Sequence, residues 1–92
     1  MDEVNIGSVV LSLAGRDSGR IFIVLAVEGN FAFLVDGNLR RVEKPKKKKL
    51  KHLKLIGPSA SEKINFKLEN GQKLENAEIR KALSYLSSQE VM

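Results

Sequence analysis

The 92-residue chain has no cysteine, no tryptophan, two prolines and a single histidine. Without thiols there are no disulfides and no thiolate-ligated metal. His52 lies on the polar phase of a predicted strand with no carboxylate cluster nearby, which does not make a metal site. No apolar run approaches the ~18 residues that a membrane-spanning helix needs. The first residues, Met-Asp-Glu-Val-Asn, lack the basic and apolar regions of a secretory leader, so the expected location is cytoplasmic. Ser8, Ser12 and Ser18 have no candidate base beside them, and the carboxylates are scattered. Nucleophilic, acid–base and two-metal schemes all lack their constellation. The expectation is a protein that is not an enzyme, with no cofactor, no metal and no small-molecule substrate.

What is present is positive charge, gathered in one place. The net charge is +5. Residues 1–39 carry a net −3 and residues 57–92 a net of zero. Residues 40–56 hold nine Lys and Arg against Glu43 alone, a net of +8. Such a block is a localised field and not a diffuse aid to solubility.

Apolar patterning divides the chain in two. Residues 8–14, 20–27 and 31–36 are rich in Val, Ile, Leu and Phe and read as strands. Glu28-Gly29-Asn30 reads as a tight hairpin, and Asp36-Gly37-Asn38 as a second turn. A short fourth strand is expected over Leu39–Val42. Residues 51–56 alternate, with Leu53 and Leu55 on one face, and read as the closing strand. Five short antiparallel strands predict a small, mainly-β, partly open barrel, because closure hides sheet edges.

Gly57-Pro58 ends this unit, dividing the chain into a barrel over 1–57 and a helical extension over 58–92, packed on the barrel or on a partner. Ser59-Ala-Ser-Glu62 has capping-box form, and Asn70-Gly71 offers a stop. Ile64, Phe66 and Leu68 also alternate, so a strand remains an alternative there. Asn76 can cap a helix over 77–88, whose Ile79, Ala82, Leu83 and Leu86 share a face. Phe22, Phe31 and Phe33 read as core in preference to a base-stacking surface. Tyr85 is expected to be partly exposed.

Two segments carry the functional signal. Between the first two strands stands Gly15-Arg16-Asp17-Ser18-Gly19-Arg20. Its glycines permit φ > 0 and leave the backbone open, and each guanidinium presents five donors in a fixed fork. That geometry suits a polyanion. Asp17 is expected to orient the loop, through an Asx-type bond or a pair with a neighbouring Arg. The second segment supplies Arg40, Arg41, Lys44, Lys46, Lys47, Lys48, Lys49, Lys51 and Lys54. A lysine run is often a solvated, mobile stretch. Set beside the arginine loop, it is read instead as a ridge that neutralises phosphates, adding affinity with little sequence preference. Together the two segments point to nucleic acid.

The stretch from Ile6 to Ile21, with Leu34-Val35-Asp36-Gly37, the basic residues after it and His52-Leu53, resembles the KOW-motif proteins. The likeness covers residues 5–57. It is to large-subunit ribosomal KOW proteins of archaeal and eukaryotic type, and to short bacterial KOW-domain RNA-binding proteins. The resemblance implies an SH3-like barrel whose first loop contacts structured RNA, ribosomal RNA above all. Ribosomal or transcription proteins are further expected partners, and an anionic membrane is not. The alternative reading is a protein-interaction module docking through Ile79, Leu83 and Leu86.

Overall fold

The structure is a computed structural model that describes residues 3–90, with side-chain surroundings given as far as Leu86. Runs of Val, Ile, Leu and Phe, which fit a pleated surface, form β1 (Val9–Ser12), β2 (Ile21–Glu28) and β3 (Phe31–Val35). The remaining elements are β4 (Lys46–Lys49), β5 (Leu53–Gly57), α1 (Glu62–Glu69) and α2 (Asn76–Glu90). A 3₁₀ turn over Leu50–His52 joins β4 to β5. All strand pairs are antiparallel, in the order β4-β3-β2-β1-β5, and the sheet is not closed. Irregularities at Val9/Val10 and at Val24/Ala26 break the register, as bulges do where a sheet bends. This is the partly open, mainly-β barrel with C-terminal helices expected from the sequence.

The pleat sends alternate side chains to two cores. One face gathers Val10, Phe22, Val24, Ala32, Leu34 and Leu53. The other brings Val9, Ile23 and Val35 against Ile64, Leu74, Ile79 and Leu83 of the C-terminal segment. Full burial of each large side chain contributes about 1.5–3 kcal/mol.

Four expectations need correction. No strand forms over Leu39–Val42. Asp36 Oδ1 accepts from the backbone N–H of Asn38 (2.9 Å) and of Arg40 (2.8 Å). The Arg40 carbonyl accepts from Asp36 and Gly37. These bonds close a local turn with groups that a ladder would require. The fourth strand is instead the lysine run, paired from Leu34↔Lys46 to Phe31↔Lys49. Second, Ser61 and not Ser59 caps α1, its Oγ accepting from Ile64 N–H at 3.0 Å. The helix formed there excludes the strand alternative for residues 64–68. Third, Asn76 does not cap α2. Its Oδ1 accepts from Val42 N–H (2.8 Å), and its Nδ2 donates to Glu43. The helix start is served by Glu78, whose Oε2 accepts from Glu75 N–H (2.8 Å) and from Lys67 Nζ (2.9 Å). Fourth, Phe22 is fully buried, but Phe31 and Phe33 are only half-buried, with Lys47 Nζ 4.5 and 5.9 Å from their ring centres.

Candidate nucleic-acid interface

The β1–β2 connection is a tight turn in which Gly15 and Gly19 adopt φ of 83° and 88°, the region that favours glycine. Gly19 N–H donates to Ser12 C=O (2.8 Å), Ser18 N–H to Gly15 C=O, and Arg20 N–H to Asp17 C=O. Asp17 turns inward. Its Oδ1 accepts from Ser12 Oγ (2.8 Å) and from Lys48 Nζ (2.7 Å), and its Oδ2 lies 3.5 Å from Lys46 Nζ. Lys48 Nζ also donates to the Ala14 carbonyl at 2.6 Å. Burial raises the Asp17 pKa, but the hydrogen bonds from Lys48 and Ser12 and the two ammonium charges outweigh it and hold the group at about 2. Asp17 therefore orients the loop, as expected, but through lysines of β4 and not through an adjacent arginine.

With the carboxylate drawn in, Arg16, Ser18, Gly19 and Arg20 are left exposed. Arg16, Arg20, Arg40 and Lys46 line one depression of about 380 Å³, with Asp17, Phe22 and Leu39 completing it. Among the described residues, the guanidiniums of Arg16, Arg20 and Arg40 have no carboxylate within ion-pair distance. The loop and the start of the basic stretch are thus neighbours in space, brought together by the Lys48 and Lys46 contacts to Asp17.

The rest of the basic stretch does not form one ridge with them. Strand alternation puts Lys46 and Lys48 on one face and Lys47 and Lys49 on the other. Lys48 is buried and its ammonium donates to both Ala14 C=O and Asp17 Oδ1, so it supports the site from beneath. Lys47 lies over Phe31 and Phe33. Arg41 pairs loosely with Glu43 (3.7 Å) beside the start of α2. Lys44, Lys49, Lys51 and Lys54 are exposed elsewhere on the surface.

One cation that carries no signal in the sequence joins the neighbourhood. Arg80 of α2 donates from Nη1 to the Gly37 carbonyl at 2.6 Å. A lone arginine in an amphipathic helix reads as a solvated residue, and only the packing of α2 against the Asp36–Gly37 turn brings it near the loop. Among the described residues no cluster of His, Asp or Glu could hold a metal ion, and no helix is long and apolar enough to cross a membrane. Compared with known proteins, the chain matches no family model and no curated sequence.

Proposed function

We propose that this chain is a non-catalytic, cytoplasmic RNA-binding module that docks on structured RNA through the Arg16–Arg20–Arg40–Lys46 depression. One observation carries the reading. Three arginines from two segments distant in the chain, none ion-paired among the described residues, share a single depression whose carboxylate is neutralised from within by Lys48. Guanidinium forks match phosphate oxygens bidentately, and contacts of this kind position a backbone without reading sequence. Recognition then follows the shape of the RNA. Ribosomal RNA is the substrate class implied by the KOW resemblance. The alternative helical docking face is not favoured, because Ile79 and Leu83 are consumed in the chain's own core.

The test is titration of labelled ribosomal RNA hairpins, and of duplex DNA, at two salt concentrations. RNA is expected to bind more tightly and with a steep salt dependence. The Arg16→Ala/Arg20→Ala/Arg40→Ala variant should weaken RNA binding at least tenfold. It should also flatten the salt dependence by roughly 0.7–0.9 log units per lost contact. Unchanged affinity in a folded triple variant defeats the proposal.

A further inference from the structure

Arg20 also borders a second depression, which Arg16 does not line. It holds about 390 Å³ and lies where the first loop, the Asp36–Asn38 turn and α2 meet. Arg20, Asn38, Arg80 and Ser84 supply its donors, and Gly19 opens onto it. This rests on the reading above, and we propose that the depression is a second phosphate subsite, taking the next stretch of the same phosphodiester backbone, with Arg80 as its principal ligand.

Arg80 is already held in place. The bond from Nη1 to the Gly37 carbonyl (2.6 Å) fixes the guanidinium and occupies one of its five N–H donors, leaving the others for a ligand. A side chain held in this way loses less rotamer freedom on binding than a loose surface arginine. The single carboxylate in the lining is Asp36, whose Oδ1 accepts from two backbone N–H groups of its own turn. Gly19 has no atom within 4 Å of where a Cβ would stand, so a ligand can come close to the backbone there. Ser84 is four residues beyond Arg80, on the same side of the helix, and is exposed. Arg20 is common to both depressions, so the cations form a continuous path from Lys46 and Arg40 through Arg20 to Arg80. α2 thereby seals the core with one face and extends the nucleic-acid surface with another.

Arg80→Gln and Ser84→Glu test the subsite with the same RNA hairpins, alongside the triple loop variant. Ser84→Glu matters because Arg80→Gln also removes a structural bond, whereas position 84 is exposed and glutamate is a good helix former. Thermal melting checks that each variant is folded. Both changes are expected to weaken RNA binding about five- to tenfold. Arg80→Gln should also reduce the salt slope by roughly 0.7–0.9, one phosphate contact. If Arg80→Gln does not fold, the Ser84→Glu result decides alone. Parental affinity in folded Ser84→Glu, with binding still weakened in the triple variant, removes the subsite and leaves the RNA reading standing. Parental affinity in all of them removes both.

Discussion

Lys48 reaches from β4 to a turn thirty-one positions earlier in the chain, and both partners of that contact are nearly excluded from solvent. Removing one member of a buried ion pair strands the other, at a cost of about 3–5 kcal/mol. Lys48→Met, which keeps the apolar stem, should lower stability by less than that full amount in urea unfolding, because Lys46 Nζ (3.5 Å) and Ser12 Oγ (2.8 Å) still face the Asp17 carboxylate. Adding Asp17→Asn should restore much of it, since no bare carboxylate remains. The same pair sets a pH dependence. The Asp17 pKa falls to about 2 in the folded state, so its contribution to stability is present above the unfolded carboxylate range. Stability should hold level above about pH 5 and fall as the solution approaches pH 2. Glu78, held low by Lys67 and the Glu75 N–H against the opposing effect of burial, acts in the same direction. A melting-temperature series from pH 7 to pH 2 checks both, and Lys48→Met should show a shallower acid limb. Gly37 is the other sensitive position. It has φ of 78°, and an added side chain would run into the Asn76 carbonyl and Arg80. Gly37→Ala should therefore be more destabilising than Gly19→Ala, where only the backbone penalty of about 1–2 kcal/mol applies.

Each strand predicted from apolar runs formed within a few residues of its expected bounds, because side chains that fit a pleated, half-buried surface announce themselves locally. β4 did not announce itself. Four consecutive lysines look like a solvated stretch, and nothing nearby in the chain shows that Phe31–Leu34 offers them a ladder, or that Asp17 waits for the third. Leu39–Val42 failed for the opposite reason. Its local pattern allows a strand, but the Asp36 carboxylate captures the Asn38 and Arg40 N–H groups first. In α2, Asn76 had the chemistry of a cap and was recruited across 34 positions to Val42 instead. The apolar stripe of α2 was legible in full, and its cost can be measured. Ile79 is completely buried, so Ile79→Ala should destabilise by about 2–5 kcal/mol in urea unfolding.

Sheet and helices share one of the two cores, so the boundary at Gly57-Pro58 marks a change of secondary structure and not a division between two folding units. A chain ending at residue 57 would expose Val9, Ile23 and Val35 together. Such a fragment should bind a hydrophobic dye and associate in size-exclusion chromatography more than the full chain does. The candidate site was half legible for a related reason. Arg16, Arg20 and the charge block stand out in any reading of the sequence. Their convergence, the division of the lysines between two faces, and the arrival of Arg80 all depend on contacts between distant segments. The first loop is also fastened at both its ends and its middle, by Gly19 to Ser12, Arg20 to Asp17, and Asp17 to Lys48. On the proposed RNA-binding reading, a surface built this way would meet its ligand already in shape. Complex formation should accordingly be fast and governed by charge, with a small heat-capacity change and with amide protons of the loop slow to exchange before any ligand is added.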